Sequence, residues 1–285
     1  MDLTSKKTIK SLLKEHQARP SKRLGQNFLV SKSALKKTIE TAGLSPKDIV
    51  LEIGPGLGTL TQELAKQAKK VIAVEKDPKM CEILKENVRM WGRKNVRIIQ
   101  EDILKIENDS TSQLLNDYKI VANLPFYLTA PVIRKFLEAE TPPQIMALIV
   151  QKEVAQRICA KPPKMSILAV SVQFYAEPKI ISFISKESFW PQPEVNGAIL
   201  RIVPLNNTDR KLVDINLFFK IVKAGFAHPR KQLANNLSNG LKLTKDKTKK
   251  WMEENEIQPS QRAETLSIKD WKNLTKSFSQ YVKKT

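Results

Sequence analysis

The sequence predicts an α/β fold, a parallel sheet covered by helices, followed by a smaller helical domain. Three observations lead to it. From Asp48 onward, short runs rich in β-branched residues alternate with stretches of helical spacing. A glycine-rich turn of the form G-x-G-x-G stands between the first such run and the helix after it. Beyond Pro204 the strand-like runs cease and only helical patterns remain. Parallel strands need crossover connections, and helical crossovers bury both faces of the sheet.

Each element follows from its local pattern. Residues 1–20 read as an extension with a short helical stretch around Ile9–Gln17. DIVLEI (48–53) is an apolar run of strand length, and TLTQELAKQAK (59–69) repeats apolar residues at helical spacing. VIAVE (71–75) is a second strand, with a helix over Lys79–Met90, and NVRIIQ (95–100) is a third. KIVANL (119–124) and QIMALIVQ (144–151) are the fourth and fifth, followed by helices near Pro131–Glu138 and in KEVAQRIC (152–159). PKIISFI (178–184) and NGAILRIV (196–203) lie close in sequence and predict an antiparallel edge. Residues 204–208, PLNNT, read as a linker. The rest is helical: LFFKIVKAGF, KQLANNL, KDKTKKWMEE and IKDWKNLTKSFSQYV. The expected divisions are 1–37, 38–204 and 205–285.

Composition narrows the function classes. The chain is 41% hydrophobic and 27% charged, as in soluble globular proteins. It lacks an apolar run approaching the roughly 18 residues of a membrane helix. The first 20 residues have no continuous apolar core of a signal peptide, so the expected location is cytoplasmic. Cys81 and Cys159 stand in unrelated contexts, and His16 and His228 lack the sequence neighbours of a zinc site, so no metal is expected. The net charge of +20 is uneven. Residues 1–37 hold ten Lys/Arg against two Asp/Glu, residues 38–204 are close to neutral at +3, and residues 205–285 carry +9. Basic ends around a nearly neutral middle suit a nucleic-acid partner.

The chemistry-bearing residues cluster at strand ends. Glu52-Ile53-Gly54-Pro55-Gly56-Leu57-Gly58 forms a turn that lets a ligand approach the backbone. Glu75 ends the second strand, where open α/β folds place the carboxylate for a ribose diol. Asp102 follows the third strand and can accept from an adenine amino group. Together they suit an adenosine-containing cofactor. A nicotinamide dinucleotide calls for the G-x-G-x-x-G spacing, which is missing. S-adenosylmethionine carries no phosphate, and its sulfonium suits an acidic, glycine-lined turn. Glu52 shapes that end of the site or orients the turn. At the fourth strand end, Asn123-Leu124-Pro125-Phe126 places an amide beside a ring. Alone these four residues read as an ordinary strand end.

With its flanks, the chain resembles the small-subunit ribosomal RNA adenine N6-dimethyltransferases of the KsgA/RsmA type, a branch of the class I S-adenosylmethionine-dependent methyltransferases. The resemblance lies in PSKRLGQNFLVS (20–31), LEIGPGLGTLT (51–61), VIAVEKD (71–77), IIQEDIL (98–104), NLPF (123–126), FWPQPEVNGAILRI (189–202), FAHPRKQLANNL (226–237) and QRAETLS (261–267). It implies a Rossmann-like class I methyltransferase sheet with an antiparallel edge plus a small C-terminal helical domain. Residues 1–37 would carry a cofactor-covering motif, 38–204 the catalytic domain and 205–285 the rRNA-binding helices. Asn27 and Leu29 would cover S-adenosylmethionine, Gly54 line its methionine end, Glu75 hold the ribose and Asp102 the adenine. Asn123 would touch cofactor and substrate. Asn123 and the Leu124 carbonyl would accept from the target N6, Pro125 would fix them, and Phe126 and Phe189 would flank the base.

The implied substrate is a pair of adjacent adenosines in the 3′-terminal hairpin loop of 16S (small-subunit) rRNA, within a partly assembled 30S-type subunit, met by a monomer away from membranes. Two features depart from the family. Phe126 stands where Tyr is more common, and ICAKPPKMSILAV (158–170) is shorter than usual and lacks a Tyr-Gly. The rivals are a large-subunit rRNA adenine dimethyltransferase of the macrolide-resistance type, a non-catalytic RNA-binding assembly factor and, more distantly, a nicotinamide oxidoreductase.

Overall fold

The structure, a computed structural model, describes residues 1–106, 117–205 and 213–281. The chain forms two compact units, Met1–Ala155 with Pro178–Pro204, and Gln156–Glu177 with Leu205–Thr285. This division differs from expectation in two places. The N-terminal segment belongs to the first unit, and residues 156–177 belong to the second.

The first unit opens with α1 (Lys6–Glu15), capped by Ser5, whose side chain accepts from the Thr8 N–H. This helix is no loose extension. Ile9 and Leu13 are buried among Phe28, Leu57, Met80 and Ile83. Then come β1 (Phe28–Leu29), α2 (Lys32–Ala42), β2 (Ile49–Ile53), α3 (Thr59–Gln67), β3 (Lys70–Glu75), α4 (Pro78–Met90) and β4 (Val96–Gln100). Further on lie β5 (Tyr118–Asn123), α5 (Thr129–Leu137), β6 (Ile145–Gln151), α6 (Lys152–Ile158), α7 (Ile167–Gln173), β7 (Ala176–Ile184), β8 (Phe189–Trp190) and β9 (Gly197–Pro204). Strand ends fall within two residues of expectation. The sequence reading missed α2, α7 and the paired two-residue strands β1 and β8. The linker expected at 204–208 lies outside the described residues from 206 onward.

Seven strands form one sheet in the order β4-β3-β2-β5-β6-β9-β7. Parallel pairing runs from β4 to β6, and β9 is antiparallel to β6, with Leu148 opposite Leu200. Consecutive residues of the central strands are buried, Ile120 to Ala122 and Met146 to Val150, so both faces are covered. Leu35 and Ile39 of α2 and Leu60 and Leu64 of α3 pack with Val50, Val121 and Ala147 of the sheet. The chain winds from β2 outward through β3 to β4, then returns to β5 on the other side of β2. Connections leave β2 and β5 in opposite directions, which opens a crevice at their carboxyl ends.

In the second unit, α8 (Ile215–Gly225), α9 (Leu233–Leu241), α10 (Lys245–Glu254) and α11 (Ile268–Ser277) bring the expected helical pattern into one core. Trp251, Trp271, Phe174 and Phe218 are fully buried there. A capping box holds the start of α11, with Ser267 and Asp270 each bonding the other's backbone N–H.

One buried ion pair fastens β5 to the approach to β2. Lys119 Nζ donates to the Gly43 carbonyl at 2.6 Å and to Asp48 Oδ2 at 3.0 Å. Lys119→Met leaves Asp48 without its partner and is expected to lower stability by about 2–3 kcal/mol in urea unfolding. Adding Asp48→Asn should recover most of that loss.

Candidate active site

The crevice is a cavity of about 320 Å³. Its floor is the turn after β2. Gly54, Gly56 and Gly58 have φ of +67°, +56° and +95°, a region that glycine enters without steric cost. A Cβ at Gly58 would lie 2.6 Å from Leu84 and 2.8 Å from Trp91, so the turn can sit close on α4 only as glycine. Gly54 borders the cavity, and a Cβ there would project to 3.9 Å from Pro125.

The two acids stand at successive strand ends, as expected, and both line the cavity. Glu75 is 7% exposed, and its oxygens accept from the backbone N–H of Asp77 and of Gly56, at 2.9 and 3.0 Å. Burial pushes its carboxyl above the ordinary range, against those two hydrogen bonds. Asp102 accepts from Lys76 Nζ at 2.8 Å and from the Leu104 N–H at 3.0 Å. The Lys76 bond in particular holds its pKa below the usual range. Glu52 lies behind the turn, wholly buried, with neither oxygen in good hydrogen-bond geometry. Burial pushes its pKa up to about 8, opposed by the neighbouring Thr61 and reinforced by the Glu75 charge.

The opposite wall comes from β5. Asn123 ends the strand, and its Nδ2 donates to the Asn27 carbonyl at 2.9 Å, which leaves Oδ1 as the available acceptor. Leu124 is buried and its N–H bonds the Ile149 carbonyl at 3.1 Å. Pro125, with φ −52°, starts a single helical turn over Phe126–Leu128. Phe126 is half-buried and lines the cavity. Asn27 and Leu29 border the cavity from the N-terminal side, Leu29 opposite Phe189 in the β1–β8 pairing. Phe189 is 3% exposed and packs in the core cluster that contains Leu29, so its ring forms a wall of the cavity.

The ten residues to which the resemblance assigns a role therefore meet around one cavity, whereas Glu52 does not line it. Gln26, Lys76 and Tyr127 also line it and were not singled out. The LGQNF segment marked the position of Gln26, but its partner Asp77 is 51 residues away and invisible to local pattern. Away from the cavity, His16 meets Glu82 and Glu86, with ligand atoms all within 4.8 Å. Sequence spacing did not show this grouping. Lys79 pairs with Glu82 at 3.2 Å and both glutamates are exposed, so the group reads as a polar surface cluster between the end of α1 and α4.

The donor set fits S-adenosylmethionine. Two carboxylates that can accept from hydroxyl and amino groups line the cavity, and Gly54 lies on its floor. Numbered along the chain within the large sheet, the strand order 3-2-1-4-5-7-6, with the seventh strand antiparallel to the fifth, is that of the class I methyltransferase fold. The chain belongs to the ribosomal RNA adenine dimethylase family, whose profile matches residues 16–280. It is similar to ribosomal RNA small subunit methyltransferase A of Dehalococcoides mccartyi, 42% identical over 270 residues, covering 95% of this chain and 92% of that one. The protein of the same name from Geobacillus is 36% identical, covering 97% and 98%. A dimethyladenosine transferase from Plasmodium falciparum shares the fold at a TM-score of 0.74, with 24% identity and 89% and 98% coverage. The 23S rRNA methyltransferase ErmE shares it at 0.70, again at 24% identity, with 89% and 100% coverage. The cofactor of the family is S-adenosylmethionine.

The raised pKa of Glu75 gives a pH signature. A carboxylate accepts from a hydroxyl more strongly than a carboxylic acid does, and Glu75 is protonated at a higher pH than an ordinary glutamate. Affinity for S-adenosylmethionine should therefore be full at alkaline pH and decline as pH falls through that raised value. Calorimetric titrations across pH should show this decline, and Glu75→Gln should bind more weakly at pH 8 and lose the pH dependence.

Proposed function

We propose that this chain transfers methyl groups from S-adenosylmethionine to N6 of two adjacent adenosines in the 3′-terminal hairpin loop of 16S (small-subunit) rRNA, giving N6,N6-dimethyladenosines. The observation that carries this reading is the meeting of Asn123, Glu75, Asp102 and the Gly54 turn around one cavity in a chain of the adenine dimethylase family. Small-subunit relatives at 36–42% identity favour that branch over the large-subunit one.

Bound S-adenosylmethionine supplies an electrophilic methyl on a positively charged sulfur. Glu75 holds the ribose hydroxyls, Asp102 the adenine amino group, and Gly54 the methionine end. Asn27 and Leu29 cover the cofactor. The lone pair of a target N6 is delocalised into its ring and attacks poorly. Asn123 Oδ1 and the Leu124 carbonyl accept from its two hydrogens and draw the nitrogen toward a tetrahedral shape. For each methyl, the methyl–sulfur bond would break as the N–C bond forms, leaving S-adenosylhomocysteine, and one N6 proton would pass to water. No side chain needs to become a nucleophile, because position and oriented dipoles lower the barrier. Pro125 fixes the backbone that carries both acceptors. The extruded base stacks on Phe126, with Phe189 behind it as the wall. Unpaired loop adenines cost less to extrude than paired ones.

Arg230, Lys231 and the five lysines between 242 and 250 are exposed, which supports backbone contacts to RNA by the C-terminal helices. The partner in this reading is rRNA within a partly assembled 30S-type subunit, bound by a monomer in the cytoplasm. Among the described residues no helix is long and apolar enough to cross a membrane.

Asn123→Ala should abolish methyl incorporation into undermethylated small subunits while the protein still melts cooperatively. Near-normal turnover by that folded variant would contradict the assignment. Phe126→Ala should lower the single-turnover rate or RNA affinity about tenfold or more, in line with a lost base–aromatic stack. Primer extension across the rRNA should stop at two adjacent adenosines of the small-subunit loop.

A further inference from the structure

Residues 24–27 border the cavity, and the hydrogen bonds of the 21–27 strap reach both of its walls. On one side the Asn27 carbonyl accepts from Asn123 Nδ2 at 2.9 Å. On the other, Gln26 Nε2 donates to Asp77 Oδ2 at 2.8 Å. Asp77 joins three parts of the fold. Its N–H bonds Glu75 Oε1 at 2.9 Å, and its Oδ1 caps α4 by accepting from the Lys79 N–H at 2.9 Å. Gln26 Oε1 accepts from the Ser21 N–H at 2.8 Å, and Asn27 Nδ2 donates to the Gly25 carbonyl at 3.2 Å. Gly25, at φ +62°, passes so close to Pro125 that a Cβ there would lie 3.2 Å from the proline Cβ.

Both polar ends of Gln26 are thus committed within the protein, although the residue borders the cavity. Its position matters because it ties the strap to Asp77, two residues beyond Glu75, while the next residue ties the strap to Asn123. From these contacts we infer that Gln26 is a positioning residue. Its bond to Asp77 holds the 21–27 strap closed over the cofactor and links the ribose end of the cavity to the acceptor end. This role presupposes that the cavity takes S-adenosylmethionine.

The polarity of the bond supplies the test. Gln26→Glu places a carboxylate against the Asp77 carboxylate and should open the strap. Asp77→Asn in the same chain restores one donor. The introduced asparagine can still cap α4 through its Oδ1, while its Nδ2 donates to the introduced carboxylate at position 26. That carboxylate can still accept from the Ser21 N–H. We expect Gln26→Glu to weaken S-adenosylmethionine binding by about tenfold in calorimetry, and the double variant to return to within about twofold of wild type. Trypsin should cut after Lys22 and Arg23 in Gln26→Glu even with saturating cofactor, and cofactor should protect wild type and the double variant. A lowered melting temperature that Asp77→Asn does not reverse would mark a purely structural defect and overturn the inference.

If Gln26→Glu does not fold, Gln26→Ala takes its place, with the same loss of cofactor protection expected. Wild-type affinity in the folded single variant overturns the inference, and so does a double variant as weak as the single. Failure of wild type itself to bind S-adenosylmethionine overturns the cofactor reading instead, so the two failures are distinguishable.

Discussion

The hydrogen bond from Asn123 Nδ2 to the Asn27 carbonyl organises the site. A carboxamide has a donating end and an accepting end, and a rotatable one presents either. With the donor committed to the strap, the oxygen is the end left to accept in a residue that lines the cavity. Everything around this bond serves to hold it. The sheet reverses between β2 and β5 and so puts Asn123 beside the glycine turn. Pro125 stiffens the exit from β5, and the passage of Gly25 against Pro125 keeps the strap at the right distance. A site proposed to work by orienting dipoles depends on this kind of fixity more than on any reactive group.

Charge is distributed to the same end. Of the two carboxylates proposed to hold the cofactor, Glu75 is buried and Asp102 is paired, and the surplus of positive charge lies toward the two ends of the sequence. Glu75 and Glu52 illustrate the cost of this arrangement. Both are pushed toward the protonated form by burial, and the Glu75 charge pushes Glu52 further. Glu75 keeps two backbone donors, while Glu52 sits behind the floor without a well-placed one. The turn is therefore built over an acid that burial pushes toward its neutral form, which disfavours a second full negative charge near Glu75.

Much of this was legible in the sequence because the signals are local. Short apolar runs rich in β-branched residues located the seven strands of the large sheet, and the acids and the amide lie at strand ends whose position in a parallel sheet is fixed by topology. The glycine spacing separated the cofactor class before any geometry was known. What the sequence hid is long-range. The burial of α1 depends on Phe28, Leu57 and Met80, none of which marks its partner. The β1–β8 ladder pairs two residues with two others about 160 positions away, too short a run for any periodicity to register. Residues 156–177 lie between two strands of the large sheet in sequence, and only packing assigns them to the second unit. Gln26 and Asp77 are ordinary loop and cap residues until the fold brings them together.

The central claim is that Asn123 presents its oxygen to the reacting nitrogen while its nitrogen stays on the strap. A crystal structure with S-adenosylhomocysteine and an adenosine in the cavity tests it most directly. The expected result is N6 within about 3 Å of Asn123 Oδ1, with Nδ2 still bonded to the Asn27 carbonyl. An adenine whose N6 points away from Asn123, or an Asn123 that has left Asn27 to donate to the base, would contradict it.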